Sequence, residues 1–162
     1  MQTGVSAGAL PKEVMMKKIL VALDGSPRAP FVLTKAVETA RVDGSRLVLL
    51  RAIGLPADVP QHFWQSTDES LLELLERNSR TYLAECEELV PRETRGDTMV
   101  VVGSPWQSIC ETARQLHADL VIIGSHGYSG FDRVLGTTAA KVVNHATCSV
   151  LVVREPMAGA PT

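Results

Sequence analysis

LVIIGSHGYSGFDRVLGTTA, residues 120–139, is the most informative segment of the chain, because its pattern predicts a buried strand joined to a helix through a glycine-rich loop. Residues 120–123 form a short apolar run of the kind found in buried strands. Three glycines follow within seven residues, and a predicted helix opens at Gly136. Glycines let backbone N–H groups approach an anion, and a helix N-terminus favours negative charge. The stretch therefore predicts a site for a phosphate-bearing ligand.

The composition indicates one aliphatic domain without a strong charge. The chain has 162 residues, of which 45% are hydrophobic and only 4% aromatic, so we expect a single core of Val, Leu, Ile and Ala. The net charge is −2, and the basic residues are dispersed along the chain. This balance argues against nucleic acid as a partner, because phosphate backbones call for a basic face.

The sequence offers no segment for a membrane or for secretion. No apolar run approaches the roughly 18–20 residues that span a bilayer, and residues 1–14 lack a basic region followed by an apolar stretch. Cys86, Cys110 and Cys148 show no CxxC spacing and are odd in number, which is typical of reduced thiols. We therefore expect a cytoplasmic protein without a structural zinc site.

Apolar runs and helical periodicities alternate along the chain. We expect a disordered leader over residues 1–15, one folded domain over residues 16–154 and a flexible tail over residues 155–162. Within the domain, the patterns predict strands at residues 18–24, 46–53, 98–102, 120–123 and 148–153, and helices at residues 27–42, 67–90, 105–116 and 138–145.

This alternation predicts an α/β fold, a three-layer doubly wound parallel sheet of five strands. Ligands bind such sheets at the carboxyl ends of the strands, where the strand order reverses. With the order 3-2-1-4-5, strands one and four are neighbours at that point. The turn at Asp24 and the glycine loop that begins at Gly124 would then face the same crevice.

Asp24 ends the first predicted strand, and its residue type leaves two roles open. The carboxylate could bond a ribose hydroxyl or an adenine amine, or help to hold a Mg²⁺ ion. It could equally form an Asx-type turn that leads into helix one. Ser26 is the expected N-cap of that helix, with Pro27 at its first position.

Motifs for nucleotide-dependent or hydrolytic catalysis that contain a similar glycine-rich loop are absent from the sequence. There is no GxxxxGK[ST], the glycines do not follow the GxGxxG spacing, and a GxSxG elbow fails at Phe131. His126 is expected to be a polar loop residue rather than a general base, since no second acid or base stands at a spacing that would orient it. Arg133 could reach the phosphates or remain an exposed loop arginine.

Four segments together resemble the universal stress protein family. They are KKILVALDGS at residues 17–26, DLVIIGSHG at residues 119–127, LGTTAAKVVNHA at residues 135–146 and SVLVV at residues 149–153. The resemblance covers residues 17–154 and implies a five-stranded parallel α/β fold of order 3-2-1-4-5, Rossmann-like and similar to the adenine nucleotide alpha hydrolase fold. It also implies a homodimer paired through the last strand, residues 149–153.

One branch of the family binds ATP or AMP, and its pattern is G-x-x-G, nine residues, then G-[ST]. The resemblance assigns Gly124, Gly127, Gly136 and Thr137 to this pattern and Thr138 to the same phosphate cradle. By the same resemblance, the residues near the ribose and the base are Asp24 with Ala22 and Leu23 before it, together with Ala52 and Ile123. Only eight residues separate Gly127 from Gly136 here, which could favour AMP or ADP over ATP.

The sequence as a whole predicts a stress-response protein that binds ATP, AMP or ADP, with Mg²⁺ as an accompanying ion and Arg133 beside the phosphates. The nucleotide would act as a signal through dimerisation and an unidentified regulatory protein partner, with at most slow ATP hydrolysis. Three alternatives stay open: a slow ATPase or nucleotide hydrolase, an interaction module without nucleotide, and a redox sensor that uses Cys148.

Overall fold

The computed structural model describes residues 17–54, 71–125 and 135–155. Within these ranges five strands alternate with four helices: β1 Lys18–Ala22, α1 Ala29–Asp43, β2 Arg46–Ile53, α2 Leu71–Glu88, β3 Arg95–Val102, α3 Pro105–Leu116, β4 Leu120–Gly124, α4 Thr137–His145 and β5 Ser149–Val153. The predicted leader, and the predicted tail apart from Glu155, lie outside the described residues. No helix in these ranges has both the length and the apolar character needed to cross a bilayer.

The strands form one parallel sheet of order β3-β2-β1-β4-β5, which confirms the predicted fold class and strand order. β1 lies at the centre, and its last residue, Ala22, pairs with Leu50 of β2 and with Ile123 of β4. The strand order reverses between β1 and β4. The carboxyl ends of these two strands therefore meet at the switch point where such sheets bind ligands.

Alternate residues of the strands contribute their side chains to two hydrophobic cores, one on each face of the sheet. Ile19 and Val21 pack with the buried side chains of α1 and α2. Leu20 packs on the opposite face with those of α3 and α4, among them Ile109 and Val142. Burial on both faces explains why the strands appear in the sequence as unbroken apolar runs rather than as alternating patterns.

β3 begins at Arg95, three residues before the predicted start at residue 98. The predicted strand did not include Arg95, Gly96 and Asp97, residue types that are depleted or weak in strands. β3 is an edge strand, however, and edges tolerate polar residues. Gly96 is also required there, since a Cβ on it would lie 2.5 Å from the carbonyl oxygen of Leu47 in β2.

α1 begins at Ala29, so the predicted N-cap Ser26 and the predicted first-turn Pro27 were wrong. Arg28 holds the N-cap position, and Pro30 lies in the first turn, where a missing N–H costs nothing. A turn precedes the helix, because the N–H of Ala29 donates to the carbonyl of Ser26 at 3.0 Å. The predicted start of the second helix at residue 67 lies outside the described residues, and the other element boundaries differ from prediction by at most two residues, the usual scatter at element ends.

Candidate functional site

A cavity of about 310 Å³ lies at the carboxyl edge of the sheet, above the switch point. Its floor is made by the ends of β1, β2 and β4, and its sides by the turn after β1 and by the first residues of α3 and α4. Nine of the predicted site residues line it: Ala22, Leu23, Asp24, Ala52, Ile123, Gly124, Gly136, Thr137 and Thr138. The other two, Gly127 and Arg133, lie outside the described residues, as does His126.

The turn after β1 is held by the side chain of Asp24. Its Oδ1 accepts the backbone N–H of Ser26 at 2.9 Å, which is the Asx-type turn that the sequence left as one of two roles. Gly25 adopts the left-handed region with φ +70° between them. Asp24 therefore lines the cavity with one carboxylate oxygen engaged by the backbone, so the two roles are compatible in geometry.

Ser26 places an unsatisfied polar atom at the same wall. The residue is 5% exposed and lines the cavity. Its Oγ is buried, and no hydrogen-bond partner for it exists among the described residues. A buried hydroxyl without a partner costs about 1–3 kcal/mol. A bound molecule that offers a partner to this atom would remove that cost.

The N-terminus of α4 faces the cavity from the opposite side. The N–H of Ser125 donates to the carbonyl of Val153 at 2.8 Å, and the N–H of Gly136 donates to the carbonyl of Ser125 at 2.8 Å. These bonds place the start of α4 next to the end of β4. Thr137 and Thr138 line the cavity within the first turn, where N–H groups have no intrahelical partner. No acidic residue occupies this turn, so the positive end of the helix is available to an anion.

Charge in the described wall of the cavity comes from one acidic and one basic side chain, Asp24 and Arg28. Arg28 forms an ion pair with Glu155, with Nε 3.1 Å from Oε2. Within the described residues, no group of three His, Cys, Asp or Glu side chains could hold a metal ion. Mg²⁺ usually binds through one or two carboxylates together with substrate phosphates. Asp24 fits that pattern as a single carboxylate.

A second group of side chains supports the turn from the other face of the sheet. The guanidinium of Arg51 packs against Gly25 and lies 5.0 Å from the centre of the Tyr82 ring. Burial raises the pKa of the Tyr82 hydroxyl and is also the largest cause of the raised pKa of the Cys86 thiol. Tyr82 and Cys86 are therefore expected to keep their protons near neutral pH. The role of this group of side chains is to support the turn.

Several residues that line the cavity were not predicted as site residues from the sequence. Ser26 was assigned to helix capping, and Arg28 was not considered. Pro105 and Ile109 belong to α3, which follows the edge strand β3 and was not expected to reach the switch point. Arg28 could have been found from its place, four residues after Asp24 at the start of a helix. The remaining residues missed are Val32, Leu50 and Ala139, whereas Ser125 belongs to the glycine loop that was expected to face the crevice.

Comparison with known proteins gives a consistent family. The model of the universal stress protein family matches residues 15–154. Universal stress protein A homolog 1 of Coxiella burnetii is 33% identical over 140 residues, which covers 85% of this chain and 95% of that protein. Universal stress protein UspA from Lactobacillus plantarum has a similar structure, with a TM-score of 0.73 at 26% identity over 85% of this chain and 97% of the other.

A universal stress protein solved in complex with cAMP has the same fold, with a TM-score of 0.59 at 21% identity over 86% of this chain and 97% of that chain. The family model spans all five strands of the sheet. The chain belongs to the universal stress protein family.

Proposed function

We propose that the cavity at the switch point binds an adenine nucleotide and that the bound nucleotide regulates the protein. The observation that carries this proposal is that one cavity is lined by the N-terminus of α4 and by Ser26, whose buried Oγ has no partner among the described residues. Helix N–H groups without an intrahelical partner favour a ligand with several acceptor oxygens, as a sugar phosphate has.

The two ends of the cavity suit the two ends of a nucleotide. Ala52 and Ile123 offer an apolar surface for the base, and the first turn of α4 offers N–H groups for the phosphates. The cavity volume of about 310 Å³ lies at the lower end of the roughly 300–1,000 Å³ of small-molecule sites. The universal stress protein that binds cAMP supports an adenine nucleotide as the ligand class.

Mg²⁺ would accompany the nucleotide rather than occupy a site of its own. Asp24 supplies one carboxylate, and the phosphates would supply most other ligands. Removal of Mg²⁺ with a chelator is then expected to weaken ATP more than AMP, because AMP has a single phosphate and binds the ion less strongly.

Regulation would act through association of two chains. β5 is an edge strand whose residues Val150 to Val153 are partly exposed, and an apolar edge favours pairing with another strand. A nucleotide that binds the dimer better than the monomer shifts the population toward the dimer. We extend the proposal to a cytoplasmic protein that signals to a regulatory partner; its three free cysteines suit a reducing compartment.

The test is titration calorimetry with ATP and AMP on the wild type and on Ala52→Phe, which fills the apolar end of the cavity. The matched control is Val42→Phe, because Val42 is 89% exposed on α1, away from the cavity. We expect Ala52→Phe to weaken binding at least about tenfold while Val42→Phe binds as the wild type does. Absence of binding by the wild type, or equal affinities for all three proteins, would contradict the proposed site.

A further inference from the structure

We propose that Arg28 binds the phosphates of the nucleotide and that Glu155 occupies this arginine as an internal competitor when no nucleotide is bound. The inference rests on the proposed function, and it adds a binding residue and a means of regulation to it. Arg28 is the basic side chain in the described wall of the cavity, and its guanidinium is paired with Glu155 at 3.1 Å.

The position of Glu155 brings Arg28 to the side of the cavity where the phosphates are expected. Glu155 follows β5 by two residues, and the carbonyl of Val153 at the end of β5 accepts the N–H of Ser125 at 2.8 Å. The carbonyl of Ser125 in turn accepts the N–H of Gly136, which caps α4. The Arg28–Glu155 pair therefore joins the N-cap of α1 to the segment after β5, which follows the strand end that pairs with Ser125 near the start of α4.

The chemistry of the pair suits exchange of one anion for another. A guanidinium binds carboxylate and phosphate oxygens through the same N–H donors. The two side chains are 28% and 43% exposed, so the pair is accessible to solvent and worth at most about a fivefold effect on an equilibrium constant. A phosphate carries more charge than a carboxylate and gains additionally from the helix N-terminus. It can therefore displace Glu155 from Arg28.

The exchange gives the nucleotide a structural consequence. When the phosphate takes Arg28, Glu155 loses the contact that holds the chain after β5 against the start of α1. β5 is the strand through which we propose that two chains pair. Binding in the cavity then changes the contacts of the segment after β5, at the edge of the sheet, without movement of the strands themselves.

The experiment measures affinities for ATP, AMP, adenosine and inorganic pyrophosphate by calorimetry, on the wild type, Arg28→Met, Glu155→Gln and the double variant. Arg28→Met is expected to weaken ATP by about tenfold to a hundredfold and to leave adenosine unchanged, because the lost hydrogen bonds reach a charged group. Glu155→Gln is expected to tighten ATP by up to about fivefold, and to have no effect once Arg28 is Met. The pyrophosphate arm shows whether phosphate groups alone reach Arg28.

The outcomes separate this inference from the proposed function. If the wild type binds ATP and both single variants bind it equally well, the role of Arg28 and Glu155 is wrong and the nucleotide site stands. If Arg28→Met weakens ATP and adenosine alike, Arg28 shapes the cavity rather than binding phosphate, which also contradicts the inference. If the wild type binds none of the four ligands, both the inference and the proposed function are wrong. Thermal melting of each variant verifies that it is folded.

Discussion

Replacement of Gly25 by Ala tests how the turn at the cavity is supported, and Gly44 provides a matched control. Both glycines adopt the left-handed region, with φ +70° at Gly25 and φ +71° at Gly44. A Cβ on Gly44 would meet nothing within 4 Å, whereas a Cβ on Gly25 would overlap Nη1 of Arg51. The two substitutions therefore share the backbone cost and differ in the displacement of one guanidinium.

The expected magnitudes follow from this difference. An L-residue in the left-handed region costs about 1–2 kcal/mol, which is the whole cost expected for Gly44→Ala. Gly25→Ala must also move Arg51 from the Tyr82 ring, 5.0 Å away, and lose a cation–π contact worth about 0.5–2 kcal/mol. Gly25→Ala is therefore expected to lose about 0.5–2 kcal/mol more stability than Gly44→Ala. It should also weaken nucleotide binding, since Gly25 lies between Asp24 and Ser26.

Urea unfolding measures both free energies, with equal m-values required for the comparison. In an Arg51→Met background the obstacle is gone, so Gly25→Ala should fall to the cost of Gly44→Ala. Equal losses for the two glycines in the wild-type background would refute the reasoning. So would an extra cost at Gly25 that persists without Arg51.

Three further predictions concern stability and assembly. Gly96→Ala should destabilise the protein by about 1–3 kcal/mol in urea, because its Cβ would lie 2.5 Å from the carbonyl oxygen of Leu47; wild-type stability would show that the β2–β3 contact is looser. The free energy of unfolding should fall as pH rises through the ordinary pKa values of 9.0 for Cys86 and 10.0 for Tyr82, because burial raises the pKa of both groups and the native state retains their protons. Tyr82→Phe should make this fall with pH shallower, and an unchanged slope would contradict the role of Tyr82. Light scattering should give the mass of two 17.5 kDa chains, and a single-chain mass at all concentrations would exclude the proposed β5 pairing.

The sequence sufficed for the fold because the strands carry a strong local signal. Runs such as residues 47–50 are buried on both faces, so they appear as continuous apolar segments, and the helices between them show their own periodicity. The residue at which an edge strand begins was harder to predict. The start of β3 was missed because Gly96 is suited to a close approach by Leu47, a contact that only the folded chain creates.

The same distinction applies to the cavity. Residues at strand ends, such as Ala22 and Ile123, could be assigned to it from the topology and the family pattern. Ile109 could not, because it reaches the cavity through the packing of α3, which no motif encodes. Arg28 has no motif either, and only its place four residues after Asp24 indicates it. Ser26 was assigned to a helix cap because serine favours that position, yet the preceding turn delays the helix to Ala29.

The most direct test of the account is a map of backbone amide shifts by NMR during titration with ATP. Binding in the cavity should shift the amides of Ser26, Ser125 and Thr137, which surround it, and leave unchanged those of Gly44 and Leu89, at the amino ends of the strands. Saturating ATP that leaves the first three amides unchanged, or shifts concentrated at the amino ends of the strands, would contradict nucleotide binding at the switch point.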